Sequence, residues 1–173
     1  IVLAAGDNFT LQNGATLNAN GTATITVDSG TADVGTGATL TIAGTLTSTN
    51  AMLNGGADVD TFDILPQTGS TIAVNGGNPT TSPGDTLLMQ LAAVTGTSLS
   101  VTAVRAGTFS FTSGHASVSF SDIESLSAVG GTFAVNPIDT GTGDDMIVLS
   151  RSGNDLVVTV GGAQYFRAAV ASI

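Results

Sequence analysis

Gly55-Gly56-Ala57-Asp58-Val59-Asp60-Thr61-Phe62-Asp63 is the stretch that decides the predicted fold. It fits the nonapeptide Gly-Gly-x-Gly-x-Asp-x-apolar-x of parallel β-helices, with Asp58 in place of the third glycine. The glycines permit tight turns with positive φ, and Asp60 supplies a hard anionic oxygen suited to Ca²⁺. Phe62 begins a short strand that points into a core. The stretch therefore predicts a calcium-binding turn. Its expected ligands are Gly55, Ala57, Asp58, Asp60 and Asp63.

A second nonapeptide runs from Thr140 to Val148, with Thr140 in place of the first glycine. Asp145 stands at the sixth position and Ile147 at the apolar one. The ligands expected in this turn are Thr142, Asp144 and Asp145. For both nonapeptides the alternative interpretation is a solvated Gly-Asp turn between two strands, because a single copy of such a motif also arises by chance.

Short alternating segments predict an all-β protein. Ala15–Ala19, Ala23–Val27 and Ala38–Ile42 alternate apolar and polar residues and end at Gly-containing turns. Such spacing is typical of a sandwich, a barrel or a solenoid. Loose repeats between residues 14 and 46, the two nonapeptides and the absence of Trp favour a β-solenoid. No helix is expected. Further strands are expected at Phe9–Leu11, Thr61–Leu65, Ser70–Val74, Asp85–Leu91, Ser98–Val104, Thr108–Thr112, Ala116–Phe120, Glu124–Val129, Asp145–Ser150 and Leu156–Val160.

Three segments are expected along the chain. Residues 1–66 form solenoid rungs that end in the first nonapeptide. Residues 67–137 form further β rungs or a small β-sandwich. Residues 138–173 contain the second nonapeptide and a β-hairpin with its turn at Gly153-Asn154-Asp155, and they look like part of a longer array.

Composition narrows the location and the partners. The net charge of −10 comes from 13 acids against three arginines, and only 9% of the 173 residues are charged. A surface this acidic repels nucleic-acid phosphates and anionic lipid. We therefore expect neither as a partner and expect cations instead. A chain that owes its polarity to hydroxyl and amide side chains is typical of extracellular β-proteins. No leader or long apolar run occurs in these residues, so no membrane insertion is expected.

Several stretches resemble the repeat regions of large secreted bacterial proteins, the RTX-like, haemolysin-type calcium-repeat adhesins. They are Thr140–Gly162, Ser82–Leu87, Gly107–Phe111 and Phe120–Leu126. The resemblance implies a right-handed parallel β-helix, secretion, Ca²⁺-dependent folding and a role in adhesion, surface coating or matrix. Nonapeptides in those proteins occur in tandem, because each Ca²⁺ is shared between successive turns. Here they begin at residues 55 and 140 and stand singly.

No catalytic site is expected. His115 is the only histidine, and no Gly-x-Ser-x-Gly elbow marks a nucleophile. A β-helix polysaccharide lyase is an alternative that the composition disfavours, because the chain has no Lys and only three arginines. One Tyr and no Trp also argue against a sugar-stacking groove.

The expected function is a structural or adhesive module of a secreted or cell-surface prokaryotic protein, stabilised by Ca²⁺. The alternative is a self-assembling subunit of an extracellular filament, sheath or surface layer, because an uncapped solenoid exposes strand edges. The apolar segments Ile1–Ala5 and Ala168–Ile173 would then pair with a neighbour end to end or by strand addition. A surface glycan or matrix is the other expected partner. Asn8 and Asn20 fit the N-glycosylation pattern.

Overall fold

The computed structural model describes residues 1–30, 35–81, 84–138 and 146–173. These residues form β-strands and one 3-10 turn, Val170–Ser172, and they contain no α-helix. The all-β prediction is confirmed. In chain order the strands are β1 (Val2–Ala4), β2 (Phe9–Leu11), β3 (Thr16–Asn18), β4 (Thr22–Thr26), β5 (Thr39–Ile42), β6 (Thr45–Thr47), β7 (Asn50–Asn54), β8 (Thr61–Ile64), β9 (Thr71–Asn75), β10 (Thr86–Gln90), β11 (Ser98–Ala103), β12 (Ala106–Ser110), β13 (Val118–Ser121), β14 (Ser125–Val129), β15 (Ala134–Val135), β16 (Ile147–Ser152), β17 (Asp155–Val160) and β18 (Ala163–Ala169).

The described strands form three sheets. Sheet A has eight strands in the order β1-β4-β7-β9-β13-β12-β11-β15. Sheet B has eight strands in the order β16-β17-β18-β14-β10-β8-β5-β2, and sheet C consists of β3 and β6. Sheet A extends across the predicted boundary at residue 66, and sheet B extends across the one at residue 137. The strands of residues 67–137 thus join the same two large sheets as their neighbours.

Successive passages of the chain through sheets A and B lie side by side. We call one such passage a circuit. Strands β4, β7 and β9 pair in parallel in sheet A, while β5, β8, β10 and β14 pair in parallel in sheet B. The register is regular, so that Leu40 lies beside Phe62, Phe62 beside Leu87, and Leu87 beside Leu126. Parallel neighbours require crossover connections. Here the crossover from β4 to β7 passes through β5 of sheet B and β6 of sheet C.

The core is a stack of apolar side chains between the sheets. Along each strand every second side chain points inward, and these inward side chains are mostly apolar. In β4, for example, Ala23 and Ile25 are buried between threonines. Phe109 fills the later part of the core, with its ring 5.1 Å from Phe133 and 5.8 Å from Phe120. Each fully buried Leu, Ile or Phe contributes about 1.5–3 kcal/mol to folding.

Gln67 and Ser70 act in place of a third strand in sheet C. The Gln67 side chain accepts the Leu46 N–H at 2.9 Å and donates to the Gly44 carbonyl at 3.2 Å. Ser70 Oγ accepts the Ser48 N–H at 2.7 Å. Since buried backbone groups need partners, these two side chains satisfy the edge of β6 that faces away from β3.

Both large sheets change to antiparallel pairing towards one side. In sheet A, β12 pairs antiparallel with β13 and with β11, and the outermost strand β15 pairs parallel with β11. In sheet B, β17 pairs antiparallel with β16 and β18. The turn between β16 and β17 consists of Gly153 and Asn154, and Gly153 has a φ of +63°. The predicted hairpin after the second nonapeptide is confirmed.

Candidate functional site

The first nonapeptide forms the turn between β7 and β8. Gly55 N–H binds the carbonyl of Asn75 at 2.9 Å, so the turn lies directly against the corresponding turn of the next circuit. A side chain at Gly55 would collide with the Asp60 carboxylate, and one at Gly56 would collide with Asp28. These glycines are thus required by the close approach of two aspartates to the backbone.

Asp60 is fully buried and binds backbone N–H groups with both carboxylate oxygens. Oδ1 accepts the Ala38 N–H at 2.7 Å, and Oδ2 accepts the Gly56 N–H at 2.8 Å. Ala38 belongs to the preceding circuit and Gly56 to the same turn. The carboxylate therefore joins two successive circuits.

Asp85 and Glu124 repeat this contact in the next two circuits. Asp85 Oδ1 accepts the Asp60 N–H at 2.7 Å, and Glu124 Oε2 accepts the Asp85 N–H at 2.8 Å. Each acid thus binds the amide of the equivalent residue one circuit earlier. We call Asp60, Asp85 and Glu124 the carboxylate ladder. Of these three acids only Asp60 was predicted as a site residue, although all three precede a hydroxyl residue and an apolar one, in Asp-Thr-Phe, Asp-Thr-Leu and Glu-Ser-Leu.

Burial sets the electrostatics of the ladder. Loss of hydration raises the pKa of Asp60 and Glu124 and raises that of Asp85 to about 7. Hydrogen bonds from backbone amides oppose the rise, whereas the neighbouring carboxylates add to it for Asp85. Asp85 Oδ2 is buried and has no hydrogen-bond partner among the described residues.

Arg105 forms a charge pair with Glu124, the last residue of the ladder. The turn between β11 and β12 brings Arg105 Nε to 3.0 Å from Glu124 Oε1. The two atoms lack the alignment of a hydrogen bond, so the contact is a charge pair. The guanidinium partly offsets the rise in the pKa of Glu124.

The other predicted ligands surround the same turn. Asp58 Oδ2 accepts the Gly35 N–H at 2.9 Å. Asp28, which was not among the predicted ligands, accepts the Ala57 N–H at 2.8 Å. Gly55, Ala57, Asp58 and Asp60 thus share one turn. Asp63 lies beyond it on β8, where it accepts a hydrogen bond from Gln90 at 2.6 Å.

The second predicted calcium turn cannot be placed in the same way. Thr142, Asp144 and Asp145 lie outside the described residues. Among the residues that the structure describes, no three Asp, Glu or His side chains are grouped so as to hold a metal ion. Calcium binding therefore stays a prediction for both nonapeptides.

His115 lies in the turn between β12 and β13. Its Nδ1 is 2.8 Å from Ser113 Oγ, and its ring packs edge-on near Phe111 at a centroid distance of 6.2 Å. Both contacts are local to the turn.

Comparisons with known proteins add no relative: no protein-family model, no curated protein and no solved structure matches the chain. No helix of the described residues is long and apolar enough to cross a membrane.

The raised pKa values predict that the calcium-free fold loses stability as the pH rises. The folded chain holds protons on Asp85 more tightly than the unfolded chain does. The resulting stabilisation is complete below the ordinary Asp pKa of 3.8 and is lost as the pH approaches about 7. We expect Tm in EGTA to fall by roughly 5–10 °C between pH 5 and pH 8, a loss of about 2–3 kcal/mol for a chain of this size.

Thermal unfolding of the Asp85→Asn variant isolates this effect, since the amide oxygen still accepts the Asp60 N–H but does not titrate. The fall in Tm with pH should become much shallower in this variant. The exposed Asp7→Asn change removes the same charge elsewhere and should leave the slope as it is. Equal slopes for all three proteins would contradict the prediction.

Proposed function

We propose that the chain is a right-handed β-solenoid module of a secreted or cell-surface prokaryotic protein, with a structural or adhesive role. The observation that carries the proposal is the in-register parallel stacking of successive circuits, joined by the carboxylate ladder. The right-handed sense follows from the strong preference of parallel crossover connections. The nonapeptide at residues 55–63 supports a relation to the RTX-like calcium-repeat proteins.

Buried polar side chains support a structural role because most of their hydrogen bonds go to backbone groups of neighbouring circuits. Asp60, Asp85 and Glu124 hold the turns between circuits, and Gln67 and Ser70 satisfy the edge of β6. A buried polar group that meets its hydrogen-bonding need in this way stabilises one register of stacking over others.

The outer face of sheet A supports an adhesive role. Thr22, Asn50 and Thr71 stand side by side on successive strands, and Thr26, Asn54 and Asn75 form a second row. Between the rows lie shallow concavities of about 370 and 250 Å³ beside Met52 and Ala73. The face offers hydroxyl and amide groups without charge, which suits a neutral glycan or matrix polymer.

Calcium at the first nonapeptide is part of this proposal. Asp58 and the carbonyl oxygens of Gly55 and Ala57 are hard donors of the kind that Ca²⁺ prefers. Both oxygens of Asp60 already accept N–H groups, so Asp60 would contribute only remaining lone pairs. Bound Ca²⁺ would also reduce repulsion among the acids of the turn.

Thermal unfolding in millimolar Ca²⁺ and in excess EGTA tests the calcium proposal. Ca²⁺ that binds only the folded chain stabilises it by about 2.7 kcal/mol at a hundredfold excess over Kd. We therefore expect a clear rise in Tm for the native chain and a smaller rise for Asp58→Asn. Asp7→Asn should respond as the native chain does. An unchanged Tm in Ca²⁺ would contradict calcium binding and leave the solenoid itself in place.

A self-assembling filament subunit is the second candidate. It is favoured by the position of the first circuit. Its strands, β1, β2 and β3, are each the edge strand of their sheet at the same end of the stack. Their inward residues Leu3, Phe9 and Leu17 are only partly buried. A further circuit from another chain would cover them.

Negative-stain electron microscopy of the isolated chain separates the two candidates. A filament subunit gives ordered end-to-end polymers, and Phe9→Lys should disperse them by placing a charge in the exposed end of the stack. The change Thr10→Lys on the outer face of the same strand should not disperse them. Uniform short particles at high concentration would exclude the filament candidate.

A further inference from the structure

Strand β16 is an exposed apolar edge. It forms one margin of sheet B, pairs with β17 and with no other described strand, and all six of its residues are exposed. Ile147, Val148 and Leu149 expose 44%, 43% and 65% of their surface. The other outermost strands of the sheets, β1, β2, β3, β6 and β15, are two or three residues long. Among the described strands, β16 is the longest with a free edge.

Two of these side chains continue the core face of sheet B. Ile147 lies opposite Val160 and Leu149 lies opposite Val158. Val158 and Val160 are buried, at 2% and 4% exposure. Ile147 and Leu149 therefore lie on the same face of sheet B as Val158 and Val160, but unlike those two residues they are exposed. Burying them against another apolar surface would be favourable.

The backbone of β16 is also ready to pair. Gly161 N–H binds the carbonyl of Met146 at 3.2 Å. Because residues of an antiparallel strand alternate in direction, the N–H and C=O groups of Ile147, Leu149 and Arg151 then face the free edge. No Lys, Glu or Pro interrupts the strand, although such residues commonly protect edges from pairing.

We propose that β16 is the pairing surface of a homodimer, in which two copies of the strand pair antiparallel about a two-fold axis at Val148. Ile147 then lies opposite the partner's Leu149, and Val148 lies opposite the partner's Val148. Apolar residues meet apolar residues along the centre, and sheet B continues from one copy into the other.

Charge and length favour a second copy of β16 as the occupant. The strand has Arg151 and no acid, whereas the chain carries a net charge of −10. Two copies of β16 therefore meet without bringing carboxylates of the strand together. By contrast, β2 has only three residues, and the acid Asp7 lies two residues before it. A two-fold pairing is closed, so assembly stops at the dimer.

Disulfide trapping tests the position of the axis, because the native chain has no cysteine. In the proposed register residue 148 faces itself in a pair without backbone hydrogen bonds, where Cα atoms are about 4.5 Å apart and within reach of a disulfide. Oxidised Val148→Cys should therefore run as a covalent dimer on a non-reducing gel. The matched control, Val59→Cys in the exposed turn after β7, should remain monomeric.

Light scattering with size-exclusion chromatography tests the assembly without a crosslink. The native chain should elute at twice its mass of 17.0 kDa, in Ca²⁺ and in EGTA alike. Leu149→Lys should elute at the monomer mass with an unchanged circular dichroism spectrum, while Val2→Lys on the edge of β1 should remain a dimer. A monomeric native chain, a Val148→Cys variant that does not crosslink, or an open polymer would each overturn the proposal. The equal result in Ca²⁺ and EGTA keeps this test separate from that of the calcium turn.

Discussion

The acid-to-amide contact between successive circuits is the interaction on which the rest of the structure depends. In the strands, parallel pairing satisfies the backbone. At the turn from sheet A to sheet B the chain bends, and the amides of Ala38, Asp60 and Asp85 need other acceptors. The carboxylates of Asp60, Asp85 and Glu124 supply them at 2.7, 2.7 and 2.8 Å. Charged acceptors make stronger hydrogen bonds than neutral ones, which helps to offset the loss of hydration.

The ladder also explains two of the glycines. A Cβ atom at Gly55 would collide with Asp60, and one at Gly84 would collide with Glu124. The spacing of glycines before an aspartate, which indicates a calcium turn in the sequence, is thus also what a buried carboxylate bound to backbone requires. The two roles use the same residues, and only metal titration separates them.

Local pattern was sufficient for most of the strands and insufficient for the ladder. Alternation between polar and apolar residues placed β3, β4, β5 and the hairpin of β16 and β17 correctly. It missed β7, because Asn50 and Asn54 at its ends resemble turn residues and only parallel neighbours on both sides make the segment a strand. Asp85 was predicted only as the first residue of a strand. The N–H group that its side chain accepts, that of Asp60, lies 25 residues away, and the register that joins them depends on the tertiary fold.

Proton occupancy and stacking meet in the carboxylate ladder, and the proposed Ca²⁺ turn lies beside it. Protons on Asp85 would stabilise the ladder from within, and Ca²⁺ near Asp58 would stabilise its outer side. The sheet faces and edges that would meet a glycan, a neighbouring circuit or a second copy are held in register by the ladder.

Amide hydrogen exchange measured by NMR on the native chain and on Asp60→Ala tests the ladder most directly. We expect the Ala38 and Gly56 amides to be protected as strongly as strand amides in the native chain. They should lose this protection in Asp60→Ala, while amides within β8 retain more of theirs. Fast exchange of Ala38 in the native chain, or protection that does not change when the carboxylate is removed, would contradict the role of the ladder.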